Sequence, residues 1–310
     1  MLNNKLYLIA VALATIGGCA DQPESDWLVE NAGPGVNTEY RERFSMISPD
    51  GLTLYISSDR PNGLGTTNAR GAMPWDIYVA WRQSKDEPFT EAVNLGSLVN
   101  TPYEEHSPSF TEDGHWMFFA SDRPGGCGGT DLYASYREDT ADPLGWEMAR
   151  NLGCELNSPL DEACPLLTTD PSTRQAAMYL VRNSTPGEVN HDIFVSIASS
   201  EISSFSDFSA FEAPVPVAEL NTPTHDAHLD PRHGLLWATR TGGYGGGDLW
   251  TTQRSSDGKW STPENMGAPI NTADNEELPS ATVDGEIYFP SNRSGGYGQD
   301  DIWVAKPIRR

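Results

Sequence analysis

The feature that most constrains the fold of this chain is a five-fold internal repeat. Each copy contains Asp followed by Leu or Ile and then an aromatic residue, and successive copies are 55, 61, 56 and 53 positions apart. These tripeptides begin at Asp76, Asp131, Asp192, Asp248 and Asp301. A period this long, built from strand-like segments, is typical of sheets repeated around an axis. The repeat therefore predicts one domain, although 310 residues would ordinarily suggest about two.

A second marker lies before each tripeptide, where Asn is followed by Thr or Ser and, five positions after the Asn, by an acidic residue. The five acidic residues are Glu42, Glu105, Glu162, Asp226 and Glu276. Between the two markers, short alternating segments are separated by turn residues such as Asp113-Gly114, which favours a tight hairpin. Each copy therefore predicts a four-stranded antiparallel sheet.

Five such sheets can bury their apolar faces by packing against one another around an axis, which predicts an all-β, five-bladed β-propeller. The last copy ends soon after Trp303 without a fourth strand, whereas residues 27–33 form a fourth-strand segment with no preceding blade. We therefore expect the N-terminal strand to complete the last blade, so that residues 27–310 form a single propeller domain and no long edge is exposed.

The N-terminus has the pattern of an export signal. Lys5 precedes an apolar run over residues 6–16, which is too short to span a bilayer. Ile16-Gly17-Gly18-Cys19 resembles a bacterial lipobox. This predicts a signal peptide over residues 1–18, lipidation of Cys19 and a tether over residues 19–26; a plain secretory signal with an incidental Cys is the alternative. Because Ala20 is not the acidic residue that retains some lipoproteins, the outer membrane is favoured over the inner.

Composition restricts the partners and the cysteine chemistry. With 44 acidic against 20 basic residues, the chain would repel a phosphate backbone, so a nucleic-acid partner is not expected. In an oxidising compartment we expect Cys154 and Cys164 to pair, because they bracket a short step between neighbouring repeats. Free thiols at Cys127, Cys154 and Cys164 are the alternative, and the spacing disfavours a three-cysteine metal site.

The residues around the repeat resemble a known family. Ser58-Asp59-Arg60 and Ser121-Asp122-Arg123, each followed by a Gly-rich turn and the Asp tripeptide, are similar to the WD40-like repeats of TolB-type periplasmic β-propellers. The fifth copy has Ser291-Asn292-Arg293, and the third and fourth copies depart further, with Val181-Arg182-Asn183 and Thr239-Arg240-Thr241. The resemblance covers residues 27–306 and implies an envelope location and a protein-binding platform without a catalytic set.

The repeated acids have two possible roles. Each precedes the strand expected to be innermost, so together the five could form a carboxylate ring at one mouth of the central channel and bind a ligand or Ca²⁺. Alternatively, each acid fastens a connection between blades by accepting backbone hydrogen bonds, since an element present in every copy is usually part of the scaffold. The Asp residues of the tripeptides are expected to hold the Gly-rich turns, and a nearby Arg at a regular spacing is expected to pair with them.

Departures from the repeat offer other candidate sites. The connection before Asp76 is longer than in the second copy and contains Arg70 and Trp75, which makes it a candidate binding surface, although drift in loop length explains it equally. The fourth copy contains a cluster rich in His and acidic residues, in which His228 and Asp230 are candidate metal ligands, but ligands on one strand rarely converge.

No Gly-x-Ser-x-Gly, His-Glu-x-x-His or phosphate-loop motif is present in the sequence. The leading expectation is therefore a monomeric, membrane-anchored, non-enzymatic propeller that binds an envelope protein or a glycan and has no cofactor. The alternative is a carbohydrate-active enzyme similar to glycoside hydrolases, with paired carboxylates at the channel mouth, and Glu42, Glu105 and Glu162 lie in that region. A metal-dependent structural module is a third possibility.

Overall fold

The computed structural model describes residues 26–65, 73–170, 173–183, 191–198, 208–240 and 242–308. It confirms the predicted all-β, five-bladed propeller, because the strands form five separate four-stranded antiparallel sheets. No helix within the described ranges is long and apolar enough to cross a membrane. The predicted signal peptide, the lipidation site at Cys19 and the candidate ligand residue Arg70 lie outside the described residues, and they stay predictions.

The strands follow one another along the chain from the innermost to the outermost position of each blade. The first blade contains β2 (Glu42–Ile47), β3 (Thr53–Ser58), β4 (Asp76–Trp81) and β5 (Val93–Asn94). The second contains β6 (Glu105–Phe110), β7 (Trp116–Ser121), β8 (Asp131–Tyr136) and β9 (Arg150–Asn151). The third contains β10 (Glu162–Thr169), β11 (Ala176–Asn183), β12 (His191–Ile197) and β13 (Val215–Pro216). The fourth contains β14 (Asp226–Asp230), β15 (Leu235–Ala238), β16 (Asp248–Thr251) and β17 (Glu264–Asn265).

The fifth blade is completed by the N-terminal strand, as predicted. Its order is β18 (Ser280–Ala281), β19 (Ile287–Ser291), β20 (Asp301–Pro307) and β1 (Trp27–Asn31). The outermost pair is antiparallel and runs from Trp27 opposite Pro307 to Asn31 opposite Trp303. Because this pairing joins the two ends of the domain, it closes the ring and covers the outer edge of the C-terminal strand β20.

The core consists of apolar layers between adjacent blades rather than one central cluster. Between the first and fifth blades, for example, Ile47, Leu54 and Tyr78 pack against Tyr288 and Ile302. Since each middle strand is covered on both faces by neighbouring blades, its side chains are buried without alternation, and all six residues of β7 are buried. This explains why apolar runs, rather than a strict period of two, mark these strands in the sequence.

Each Asn of the second marker joins two blades. The Asn100 side chain accepts a hydrogen bond from the Ile77 backbone N–H and donates one to the Ile77 carbonyl, each at 2.9 Å. The same reciprocal pair of bonds is formed in the other four blades, by Asn157 with Leu132, Asn221 with Ile193, Asn271 with Leu249 and Asn37 with Ile302. The side chain thus replaces a ladder pair at each junction between blades.

The repeated acids act at the same junctions and form what we call the clasps. In the first blade, Glu42 accepts hydrogen bonds from the Thr38 N–H at 2.9 Å, the Thr38 hydroxyl at 2.6 Å, and the Ser58 hydroxyl and Arg60 guanidinium at 3.0 Å each. Glu42 is 0% exposed and Arg60 is 6% exposed. The other clasps pair Glu105 with Arg123, Glu162 with Arg182, Asp226 with Arg240 and Glu276 with Arg293.

The clasps correct two sequence predictions. The five acids do not form an exposed carboxylate ring, because all are 0% exposed and their oxygens accept bonds inside the scaffold. The nearby Arg residues pair with these acids and not with the Asp residues of the tripeptides. Those Asp residues do hold the Gly-rich turns: Asp131, for example, accepts bonds from the Cys127 and Gly128 N–H groups at 2.5 and 3.2 Å.

The predicted disulfide is also wrong. Cys127 pairs with Cys154, with 5.6 Å between their Cα atoms, and Cys164 is a buried free thiol. The reason is topological. Cys127 lies in the Gly-rich turn of the second blade and Cys154 follows the outermost strand of that blade, whereas Cys164 lies in the innermost strand of the third. Closeness along the chain therefore did not indicate closeness in the propeller.

We predict that Glu42→Gln lowers the free energy of unfolding by about 3 kcal/mol, because it leaves the buried Arg60 guanidinium without a charged partner. Urea denaturation followed by circular dichroism measures this change. Glu264→Gln, an equally conservative change at an exposed position of β17, is the control and should be neutral. Equal stability of the two variants would show that the clasp does not stabilise the fold.

Candidate functional site

The central channel is lined by residues that follow the clasps. The residue two positions after each acid contributes to the lining: Phe44, Ser107, Cys164, His228 and Leu278. At four of these positions the backbone is in the left-handed region, with φ of 52° at Phe44, 56° at Ser107, 50° at Cys164 and 40° at Leu278. A β-bulge accompanies this conformation in the first three blades and re-aims the side chains towards the axis.

One end of this channel, which we call the mouth, is built from two positions per blade. The first position directly precedes the Asp tripeptide, and it is occupied by Trp75, Thr130, His191, Gly247 and Asp300. The second directly follows the clasp acid, and it is occupied by Arg43, His106, Ala163, Ala227 and Glu277. In four of the five junctions the clasp acid donates its N–H to the carbonyl of the first position, which holds the two positions together. The five copies therefore present different side chains at the mouth.

A charged arc occupies the part of the mouth contributed by the fifth and first blades. Arg43 forms an ion pair with Glu277 across the junction between these blades. The charges of Asp300 and Asp59 also act on the Arg43 guanidinium. Arg41 donates from Nε to Asp59 at 2.8 Å. Two arginines and three carboxyl groups are thus gathered on one side of the channel.

Burial controls the ionisation of these carboxyl groups. It raises the pKa of Glu277, which is 7% exposed, while the Arg43 charge opposes this effect. Burial likewise raises the pKa of Asp300, against the charges of Arg43 and Arg41. Glu104 in the second blade has a pKa raised by burial and, in addition, by the nearby Asp122. The mouth therefore favours the protonated forms of several carboxyl groups relative to the same groups in water.

Aromatic rings lie beside the charged arc. The Arg41 guanidinium lies over Trp75, 5.1 Å from the ring centroid. Trp75 meets Phe44 edge to face with 6.0 Å between centroids, and Phe44 meets His106 at 4.8 Å. Among the ligand candidates that lie within the described residues, Trp75 is the one at the mouth. Sequence reasoning missed Arg43, Glu277 and Asp300, although each is visible as a departure from the repeat directly beside a marker.

The fourth blade does not assemble the metal pair suggested by its sequence. His228 donates from Nε2 to the Pro279 carbonyl at 3.1 Å, whereas Asp230 is buried and pairs with Arg232 at 3.1 Å and His233 at 3.0 Å. The carboxylate is therefore already neutralised by its own strand and turn. Within the described ranges, no group of three or more His, Cys, Asp or Glu side chains converges as a metal site.

Comparison with known proteins shows the fold. No protein-family model matches the chain, and no curated protein matches its sequence. An α-L-arabinofuranosidase from Podospora anserina, solved in complex with cellotriose, superposes with a TM-score of 0.50 at 14% identity, over 90% of this chain and 94% of that one. An α-L-arabinofuranosidase from Lactobacillus brevis superposes with a TM-score of 0.53 at 12% identity, over 89% and 92%.

These likenesses correct the expectations drawn from the repeat motif. The resemblance to TolB-type propellers was wrong, since the two solved propellers named above, which superpose on this chain, are α-L-arabinofuranosidases. The expectation of a non-enzymatic binding platform, which rested on the lipobox together with a repeat that has no asymmetric catalytic set, is corrected by the same likenesses. The short Ser-Asp-Arg motif misled because its Ser and Arg serve the clasp, a structural element that carries no information about activity.

Proposed function

We propose that the protein is a carbohydrate-active enzyme that hydrolyses a glycosidic bond at the mouth of the channel. The observation that carries the proposal is the pair Glu277 and Asp300, two carboxyl groups in unlike surroundings about one guanidinium, Arg43. The two arabinofuranosidases that share the fold support a glycan as the partner. Glycoside hydrolysis requires such a pair, one carboxylic acid to protonate the leaving oxygen and one carboxylate on the opposite side.

The surroundings assign a role to each group. Asp300 is half-buried, its pKa is raised by burial, and within the described residues its carboxyl group forms no ion pair, so it is suited to donate a proton to the glycosidic oxygen. Burial raises the pKa of Glu277 as well, but Glu277 forms an ion pair with Arg43, which opposes this effect and fixes the orientation of the carboxylate. Glu277 then acts as the carboxylate that activates water or attacks the anomeric carbon.

Two neighbouring groups would bind the sugar. The Arg43 Nε–H is buried and has no acceptor within the described part of the chain, so it is available to a substrate oxygen. Trp75 lies beside the charged arc and offers an apolar face of the kind on which sugar rings stack. Because both groups belong to the first blade, we expect the sugar to bind over that side of the mouth.

We also propose that this enzyme acts outside the cytoplasm, anchored to a membrane through Cys19. The lipobox supports the anchor, and the Cys127–Cys154 disulfide supports an oxidising compartment.

We predict that the chain incorporates labelled palmitate in a bacterial host and partitions with membranes. Cys19→Ala should abolish the label; a labelled Cys19→Ala variant would show that lipid is attached elsewhere.

We predict that Glu277→Gln and Asp300→Asn each lower the rate of hydrolysis by about 100-fold or more, because each removes one partner of the acid–base pair. Release of reducing sugar from arabinan, arabinoxylan and galactan measures activity. Glu264→Gln on β17 is the matched control and should behave like the wild type. Absence of hydrolysis from the wild type on every glycan, or full activity of both variants, would contradict the proposal.

We predict that Arg43→Gln shifts the pH profile of kcat/KM to higher pH. The Arg43 charge lowers the pKa of both Glu277 and Asp300, so its removal raises both values. The carboxylate then ionises at a higher pH, which moves the acidic limb upwards, and the proton donor loses its proton at a higher pH, which moves the alkaline limb upwards. Unchanged limbs would show that the two titrating groups lie outside the influence of Arg43.

A further inference from the structure

The side of the mouth opposite the charged arc is formed by aromatic rings and an amide side chain. We call it the neutral arc, and it consists of Asn183, His191, His225 and Trp237 from the third and fourth blades. The His191 and His225 rings lie 4.9 Å apart, and the His225 and Trp237 rings lie 5.1 Å apart, both edge to face. Asn183 is paired with His191 across β11 and β12. The three rings therefore form one continuous surface, and Asn183 lies beside it on the neighbouring strand.

Three polar atoms of the neutral arc lack partners. His191 Nδ1, Asn183 Oδ1 and Trp237 Nε1 are buried and form no hydrogen bond with any described residue. Leaving a buried polar atom unpaired costs about 1–3 kcal/mol, so three such atoms in one surface are unusual unless a ligand or ordered water meets them. Trp237 Nε1 is a donor, Asn183 Oδ1 is an acceptor, and His191 Nδ1 can be either. A sugar hydroxyl group both donates and accepts hydrogen bonds, so it can pair with any of the three.

The glycine before the fourth tripeptide permits this arrangement. A Cβ atom at Gly247 would lie 2.2 Å from Trp237 Nε1. Gly247 occupies the mouth position that is Trp75 in the first blade and Asp300 in the fifth. Any other residue at this position would therefore displace the indole or cover its N–H group.

The charges around the neutral arc are unfavourable to an anionic ligand. Burial lowers the pKa of His191 to about 4 and that of His106 to about 4, so both imidazoles are uncharged at neutral pH. Two carboxyl groups act on His191, those of Asp161 and Asp192, whereas Arg43 and Asp161 act on His106. Asp161 is fixed in place, since it accepts hydrogen bonds from Asn183 at 2.8 Å and from the Thr130 N–H at 3.0 Å. The chain as a whole carries a formal charge of −24. A carboxylated or sulfated sugar would meet repulsion here, whereas a neutral sugar would not.

From the unpaired atoms and the surrounding charge, we infer that the neutral arc is a subsite that reads the hydroxyl groups of an uncharged sugar unit. Resting on the proposed function, this inference narrows the substrate to a neutral glycan and makes His191 and Trp237 its specificity-determining residues. The ring contact of Phe44 with His106, and the closeness of both Arg43 and His191 to His106, link this subsite to the charged arc. One glycan chain can therefore contact both arcs.

Binding tests the inference without requiring turnover. In affinity electrophoresis, the Glu277→Gln protein is run in gels containing arabinan, arabinoxylan, galactan or polygalacturonate. We expect retardation by at least one neutral polysaccharide and none by polygalacturonate. His191→Phe and Trp237→Phe, introduced separately into that protein, should each weaken the association about three- to tenfold, the loss expected for one neutral hydrogen bond.

The controls separate the outcomes. His115→Phe makes the same change at the far end of the second blade, where His115 stacks on Tyr136, and should leave binding unchanged. Because Trp237→Phe keeps an aromatic ring, it remains informative if His191→Phe fails to fold. Equal retardation by polygalacturonate, no retardation by any neutral polysaccharide, or unchanged binding in both variants would overturn the inference. Binding without hydrolysis would contradict the proposed reaction alone, whereas hydrolysis unaffected by either variant would contradict the subsite alone.

Discussion

The buried ion pair of each clasp is the interaction on which the rest of the structure depends. A glutamate such as Glu42 would not be stable at 0% exposure without donors for both oxygens, and the Thr38, Ser58 and Arg60 groups supply them. These donors come from the turn before the innermost strand and from the end of the second strand. One carboxylate therefore fixes the start of each blade relative to its own turn, and the adjacent Asn fixes it relative to the preceding blade.

The clasp also determines where functional residues can occur. Because the acid points into the scaffold, the next residue of the strand turns towards the mouth, and the bulge brings the one after it into the channel. The side chains one and two positions after the acid form no part of the clasp, so their identity can differ among blades. Arg43 and Glu277 occupy equivalent positions yet form an ion pair with each other, which requires two unlike blades side by side. Asymmetry at these positions is thus the physical basis of a site on a five-fold scaffold.

The fold could be predicted from the sequence because its determinants recur. The count of the Asp tripeptides, and the strand segment left over at each end, were sufficient to predict five blades and their closure. The disulfide could not be predicted in this way, because Cys127 and Cys154 meet through the curvature of one blade and not through the repeat. The site was predicted only in part. The five acids were chosen because they recur, but their recurrence reflects a role in the scaffold. Among the chosen asymmetric residues that the structure describes, Trp75 lies at the mouth.

One position of the repeat, the residue directly before the Asp tripeptide, differs in all five blades. At the position before the tripeptide, the blades carry an indole, a hydroxyl, an imidazole, no side chain and a carboxyl group. A structural role shared by all blades would not tolerate such a range, so the range itself indicates that the position faces an object without five-fold symmetry. A branched or linear glycan is such an object, since one side of it must meet acid and base while another meets neutral hydrogen-bonding groups. The division of the mouth into a charged arc and a neutral arc is what that requirement predicts.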